Sequence, residues 1–459
     1  MPKAAFHNLG CKVNAYETEA MQQQLAQRGY EIVPFDEKAD VYIINTCSVT
    51  NIADRKSRQM LHRAKKLNPQ ALVVAAGCYV QVASEELKKD ASVDLIIGNN
   101  RKAELADILD ARLAEKNEEN KVYVLDIAHT HEYERLHLDR LGGHTRAFIK
   151  VQDGCNQFCS YCIIPYARGR VRSRSHEDVA EEVKSLVAGG YKEVVLTGIH
   201  LSSYGIERME ENPVSRGDWN HRELLALIQE VHGIDGLERI RLGSLEPRII
   251  TREFAEELAK LPKFCPHFHL SLQSGCDETL KRMNRHYTTE DYEARCRLLR
   301  EVFDHPAITT DVIVGFPGET EEEFAVTREY LERVHFYEMH IFKYSRREGT
   351  KAAVMKDQIP ESVKAERSDV LLSLEKKMSG EYRMYYADSA VSVLFEEITV
   401  IDGKEYLTGY TPQYVRAALP VTDREACSQM AGNIFEVQAE GFVTDEVLKV
   451  RLYENNCLN

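Results

Sequence analysis

The chain has 459 residues, too many for one ordinary domain and natural for two or three. Its hydrophobic content of 43% and charged content of 29% are those of a soluble globular protein. A net charge of −14 argues against a generally basic nucleic-acid binder, so a phosphate-bearing partner would have to be held by local patches. The start, MPKAAFHNLGCKVN, lacks the apolar core of a signal peptide, and no apolar run is long enough to span a bilayer. A cytoplasmic protein is expected, with no membrane partner, and its eleven unevenly clustered cysteines are expected to stay reduced rather than to form a disulfide framework.

Residues 3–126 alternate strand-like runs (4–9, 31–35, 41–46, 71–77, 94–98 and 122–126) with helix-like segments such as 15–28, 52–67 and 102–114. Apolar, β-branched strands in this alternation predict a parallel sheet covered on both faces. Cys11, Cys47 and Cys78 each follow a strand run, in NLGC, INTC and AAGC. Ligands of open parallel sheets bind beyond the carboxyl ends of the strands, so three thiols could converge there; packing as three small buried hydrophobes is the competing reading. The helix after Cys47 carries Arg55, Lys56, Arg58, Arg63, Lys65 and Lys66, either as a solvated face or as a phosphate-contacting one. Residues 127–144 are polar and end in Gly-Gly, and they predict a linker whose His129, His131, His137 and His144 are solvated.

Residues 145–375 form a second alternating series, with strand runs at 147–153, 193–199, 239–245, 267–273, 308–316 and 338–345. Six strand–helix units predict a parallel (βα)6 sheet curved into a partial barrel, with chemistry at the carboxyl ends of its strands. Cys155, Cys159 and Cys162 follow the first of these strands in C-x3-C-x2-C spacing. Three close thiolates can hold three irons of an iron–sulfur cube and leave the fourth iron open, as a reactive site requires. Structural zinc prefers a fourth ligand, and the next downstream histidines are distant, at His176 and His200. Other strand-end residues, Gly198, Ser244, Glu246 and Gln273, and the tight turn through Gly315, Pro317 and Gly318, are candidates for holding a cofactor.

Arg168, Arg170, Arg172 and Arg174 recur at every second residue; an extended segment would present all four on one face, toward a carboxylate or RNA phosphates. Residues 380–453 read as short strands with turns, a small antiparallel barrel with six basic and twelve acidic residues. Within it Tyr410, Tyr414 and Arg416 are candidates for stacking on and binding RNA, or for barrel core. Cys265, Cys276, Cys296, Cys427 and Cys457 fit no ligand spacing and read as structural.

The stretches LGCKVNAYETE, NTCSVT, AGCYVQ, CNQFCSYC, IPYARGRVRSR and VGFPGET, in this order, resemble the radical S-adenosylmethionine (SAM) methylthiotransferases over nearly the whole chain. That resemblance implies an N-terminal three-cysteine domain (1–126), a radical SAM domain (145–375) and a C-terminal TRAM domain (380–453). It implies two 4Fe–4S clusters, one on Cys155, Cys159 and Cys162 with SAM on its open iron, the other on Cys11, Cys47 and Cys78. Tyr161 would lie beside the SAM adenine, with Gly198, Ser244, Glu246, Gln273 and Arg168 around the cofactor. The partners implied are tRNA at its anticodon loop, not DNA, and a flavodoxin or ferredoxin electron donor; the candidates to meet the RNA are the residues read above from charge and spacing, Arg55, Arg58, Arg63, Arg170, Arg172, Arg174, Tyr414 and Arg416. Lys12, Val13 and Asn14 after the first cysteine are most similar to the subgroup that adds a methylthio group to C2 of N6-threonylcarbamoyladenosine. Siblings acting on isopentenyladenosine or a ribosomal-protein aspartate, and a non-catalytic iron–sulfur RNA-binding redox sensor, are the alternatives.

Overall fold

The computed structural model describes residues 1–114, 121–138, 145–208 and 221–453. The first unit contains β1 (Lys3–Asn8), α1 (Lys12–Gln27), β2 (Glu31–Val33), β3 (Val41–Thr46), α2 (Asn51–Leu67), β4 (Leu72–Gly77), α3 (Cys78–Leu87), β5 (Leu95–Ile97), α4 (Leu105–Ala114) and β6 (Val122–Tyr123). The strands pair in parallel in the order β2-β1-β3-β4-β5-β6. Two apolar clusters cover the two faces, one through Met21, Leu25 and Leu109, the other through Leu61, Ala64 and Val80. This is why the strand runs are continuously apolar rather than alternating.

The second unit contains β7 (Arg146–Asp153), α5 (Ile164–Arg168), β8 (Arg172–Ser173), α6 (His176–Ala188), β9 (Glu193–Gly198), α7 (His221–His232), β10 (Arg239–Leu242), α8 (Arg252–Ala259), β11 (His267–His269), α9 (Asp277–Arg282), α10 (Thr289–Val302), β12 (Ala307–Val314), α11 (Glu321–Val334), β13 (Glu338–Lys343) and α12 (Glu361–Met384). Parallel strands run β7-β9-β10 and β11-β12-β13, and bridges Ile240–Phe264 and Leu245–Leu270 join the two halves. The result is a curved, partial (βα)6 barrel. Residues of β7 alternate: Ala147, Ile149 and Val151 pack in the core that also holds Val179 and Val183 of α6. Phe148, Lys150 and Gln152 therefore face the concave side. Tyr16 and Ala20 of α1 belong to this same core, so the first unit is packed into the second.

The third unit is a closed barrel, β14 (Ala390–Ile401), β15 (Lys404–Tyr410), β16 (Arg416–Pro420), β17 (Ile434–Thr444) and β18 (Val447–Leu452), in the order β14-β15-β16-β18-β17, with α13 (Arg424–Met430) between β16 and β17. Its pairs are antiparallel except β16–β18, where the expected pattern gives way to a parallel pair that closes the barrel. Helix α12 runs through residue 380, where the third unit was expected to begin, and the barrel strands start only at Ala390.

The segment read as a linker is packed over its described part. Ile127, Leu136 and Leu138 are buried, Tyr133 Oη donates to the Lys150 carbonyl (2.7 Å), and Glu134 accepts from the Ala103 N–H (2.8 Å). His129 pairs with Asp126, and none of His129, His131 and His137 joins a metal-binding group among the described residues. His144 and Cys457 lie outside those residues. Cys265, Cys276, Cys296 and Cys427 are buried and unbridged, as structural cysteines should be.

Tyr410 and Tyr414, expected to offer faces to bases, stack on each other at 4.7 Å instead, and the Arg146 guanidinium covers both, at 4.7 and 4.9 Å. Arg241 donates to Glu193 (2.9 Å) and to the carbonyl of Pro412 (2.8 Å), and Arg239 to that of Tyr410 (3.0 Å). Tyr414 is thus part of the joint between the barrels, a role invisible in local sequence. Arg241→Ala leaves Glu193 buried beside a weakened partner, so destabilisation of about 3–5 kcal/mol is expected, with faster proteolysis near residue 412. Chemical denaturation and limited proteolysis measure both.

Candidate functional site

The three strand-end thiols of the first unit are drawn together by side chains of α1 and the neighbouring loops. Asn14 Nδ2 donates to the carbonyls of Leu9 (2.8 Å) and Thr46 (3.0 Å), tying the β1 end that leads to Cys11 to the β3 end that leads to Cys47. Gly10 has φ +125°, and a Cβ there would lie 3.3 Å from Cys47 Sγ, so only glycine suits this close approach. Asn99 Nδ2 lies 3.7 Å from Cys78 Sγ and donates to the Ala167 carbonyl at 2.7 Å. Burial pushes the Cys47 thiol up to about 11 and raises Cys11, and each of these two feels Cys78 as a further negative neighbour. Cys11 is the exposed member of the trio, while Cys47 and Cys78 are buried.

Cys155, Cys159 and Cys162 occupy a loop clamped from several directions. The Cys155 N–H donates to Gly169 O (3.0 Å), and the Ser160 N–H to Met283 O (3.0 Å). Asn284 Nδ2 donates to the carbonyls of Gln157 (3.3 Å) and Phe158 (3.1 Å). Gly154 has φ +73°, and a Cβ there would fall 1.8 Å from Arg170 O, so the loop needs glycine at this position. Burial pushes Cys155 up to about 12 and Cys162 up as well, with the neighbouring thiols adding to the effect. Arg285, half-buried, places Nη1 3.4 Å from Cys159 Sγ. Both trios are unbridged thiols, four of the six buried; such a set becomes thiolate when a metal replaces its protons, which suits iron–sulfur ligation.

The trios are tied to each other by consecutive residues. Arg168, completely buried, places Nε 3.1 Å from Cys78 Sγ, while Gly169 accepts from Cys155. Arg168 also donates to Glu17 (2.8 and 3.0 Å), Asp153 (3.2 Å) and Asn14 Oδ1 (2.7 Å). Lys150 reaches Glu17 (2.8 Å) and Asp153 (2.6 Å), and Lys102 reaches Glu17 and Asn99. Burial alone would raise both carboxyls, but Arg168, Lys102 and Lys150 hold Glu17 well below its usual range, and Lys150, Arg168 and Arg172 do the same for Asp153.

Several expected roles change. Arg168 lies in the short helix α5, not an extended run, and its guanidinium is turned to Cys78, Glu17, Asp153 and Asn14. Arg172 and Arg174 are buried, the first on the Arg168 carbonyl (2.9 Å), the second on Glu182 and Asp178 (3.0 Å to Asp178), so neither is available to RNA. Arg170 alone of the row is exposed, over the Phe158 ring at 4.7 Å. On α2, Arg55 is exposed, Arg58 is half-buried on Tyr79 Oη (2.7 Å), and Arg63 is exposed and paired with Asp36. Arg416 is half-buried on β16. A Cβ on Gly198 would meet Gln152 at 2.8 Å, so that side chain alone is enough to require glycine there. Glu246 is engaged by Arg248 (2.7 Å). Ser244 is exposed at its strand end, Gln273 is buried with φ +76°, and Tyr161 packs edge-on to Phe316 beside the cysteine loop.

Glu17, Asn99, Lys102, Lys150, Asp153 and Arg285 were not singled out from the sequence, and Asn14 was noted only as a mark of the subgroup. Lys150 carried a signal, since a lysine in a buried parallel strand is rare unless paired. Inside the barrel, ligand atoms of His269, Asp311 and His340 lie within 4.8 Å of one another. Lys12 reaches into the same space, its ammonium 5.8 Å from the Phe148 ring centroid.

Residues 149–331 match the Radical SAM superfamily, and residues 3–98 match the Uncharacterized protein family UPF0004. The chain is 40% identical over 458 residues to the threonylcarbamoyladenosine tRNA methylthiotransferase MtaB of Bacillus subtilis, covering 99% of this chain and 98% of that one. It is 44% identical over 380 residues to the protein of the same name from Aquifex aeolicus, covering 83% of this chain and 89% of that one. It is 32% identical over 455 residues to the tRNA-2-methylthio-N(6)-dimethylallyladenosine synthase of Akkermansia muciniphila, covering 96% of each. Among solved structures, the radical SAM methyltransferase TsrM of Kitasatospora setae aligns with a TM-score of 0.55 at 16% identity over 77% of each chain, a likeness of fold. The chain belongs to the radical SAM tRNA methylthiotransferase family. It is therefore a transferase whose chemistry uses SAM and an iron–sulfur cluster.

Proposed function

We propose that the chain replaces the C2 hydrogen of N6-threonylcarbamoyladenosine, beside the tRNA anticodon, with a methylthio group. The observation that carries this reading is the linkage of two thiol trios through Arg168 and Gly169, in a chain matching the threonylcarbamoyladenosine enzymes along its length. Cys155, Cys159 and Cys162 hold the SAM-binding cluster, and Cys11, Cys47 and Cys78 hold the second. When bound, the clusters and SAM supply a carbon radical able to take an unactivated C2 hydrogen, and the methylated sulfur that replaces it.

The protein's own groups position and shield. Arg285 and Arg168 set positive charge against Cys159 and Cys78, which offsets thiolate charge in a dry site. Burial of Cys47, Cys78, Cys155 and Cys159 limits the access of water and stray hydrogen donors to the thiols. Tyr161, Ser244 and Gln273 border the place for SAM, and the exposed Arg55 and Arg170 with Arg416 serve the RNA backbone. A flavodoxin or ferredoxin supplies the electron, in the cytoplasm, where tRNA is found. No helix among the described residues is long and apolar enough to cross a membrane.

The relatives named for dimethylallyladenosine, at 32–39% identity, favour a second reading in which the base carries an isopentenyl group. Nucleoside mass spectrometry of bulk tRNA from a strain lacking this gene separates the two. The proposal expects threonylcarbamoyladenosine to accumulate at the expense of its methylthio form. An unchanged ratio of those two nucleosides overturns it.

A further inference from the structure

We infer that Lys12 is the group that selects the substrate, by taking the carboxylate of the threonylcarbamoyl side chain inside the barrel. This rests on the function proposed above. Two things distinguish the candidate substrates at N6. The threonylcarbamoyl group carries a carboxylate and a hydroxyl, whereas an isopentenyl group is wholly apolar. A site that accepts the first must offer an unspent cation close to the sulfur-bearing thiols.

Among the described residues, Arg241, Arg146, Lys150, Arg168 and Arg285 around the barrel interior are committed elsewhere, and Lys12 is not. Arg241 is spent on Glu193 and the Pro412 carbonyl, and Arg146 on Glu396 at 2.6 Å and the two tyrosine rings. Lys150 and Arg168 are taken up by Glu17 and Asp153. Arg285 is held by Tyr287 Oη (2.9 Å), the Ser271 carbonyl (3.2 Å) and Cys159. Lys12 is exposed, and among the described residues its ammonium makes no hydrogen bond or ion pair; it lies over the Phe148 ring.

Position completes the argument. Lys12 follows Cys11 directly, so its Cα is about 3.8 Å from that of a thiol proposed to hold the sulfur source. In adenine, C2 and C6 flank the same ring nitrogen, so a base with C2 at the sulfur carries its N6 substituent within reach of a lysine side chain. The nearby acids are spoken for, Asp311 by His269 at 3.2 Å and Glu193 by Arg241 at 2.9 Å, so neither neutralises the Lys12 ammonium.

The test uses reconstituted protein and two anticodon stem-loops. One carries N6-threonylcarbamoyladenosine, the other its amide analogue, in which the carboxylate is a neutral carboxamide. Wild type is expected to favour the acid over the amide in kcat/KM by about 10- to 100-fold, the range of a charge-assisted bond in a dry site. Lys12→Met should lose that preference while keeping its iron content, and Lys12→Arg should retain most of it. Equal use of acid and amide by wild type overturns the inference with no variant needed. So does an undiminished preference in Lys12→Met. If wild type methylthiolates only a stem-loop bearing isopentenyladenosine, the proposed function itself fails, and this inference with it.

Discussion

Replacing Cys11, Cys47 and Cys78 together by alanine is expected to remove about half of the protein's iron, leave 5′-deoxyadenosine formation in place, and abolish the methylthio product. The reasoning is local. These thiols lie at the ends of β1, β3 and β4, held by Asn14 and by the close passage of Gly10 past Cys47. The other trio is clamped by a separate set of bonds from Asn284, Met283 and Gly169. Losing one set of ligands does not remove the clamps on the other. Iron and acid-labile sulfide quantitation, with product analysis on the same sample, reads all three outcomes. Full iron retention in the triple variant would dismiss the second cluster.

Arg168→Met is expected to destabilise the protein by about 3–5 kcal/mol and to loosen the first unit from the second. One guanidinium serves Cys78, both oxygens of Glu17, Asp153 and Asn14, all out of water. Its loss leaves two buried carboxylates with fewer cations. Arg168→Lys should rescue little, because a single ammonium cannot span acceptors spread around a five-donor fork. Glu17 and Asp153 are held below their usual range, so the stability they contribute is complete above about pH 4 and is lost as pH falls through their lower folded values. Arg168→Met should lose its interface at higher pH than wild type does. Denaturation curves at several pH values measure both effects.

The strands and their order of appearance were legible because parallel strands buried on both faces leave continuous β-branched runs such as VYIINT and LVVAAG. The placement of the six thiols was legible for a related reason, since each trio follows strand ends, β1, β3 and β4 for one and β7 for the other. Arg168 was misplaced by a local ambiguity. ARGRVRSR has the period of a strand, but Pro165 opens a short helix and Gly169, at φ +70°, ends it, a Pro-then-Gly order that was itself readable. What no local pattern could show were pairings across long separations, such as Arg168 with Glu17 or Tyr410 and Tyr414 with Arg146. The acidic third unit was expected to meet RNA through tyrosines, yet its tyrosine pair is spent on docking.

The central claim is that this one chain both cleaves SAM and inserts sulfur at C2. It is tested most directly by anaerobic incubation of the reconstituted protein with SAM, dithionite and a stem-loop bearing N6-threonylcarbamoyladenosine, followed by mass spectrometry of the digested nucleosides. The account predicts a nucleoside in which a methylthio group has replaced one hydrogen, formed together with 5′-deoxyadenosine. Release of 5′-deoxyadenosine from iron-replete protein with the nucleoside left unchanged would contradict it.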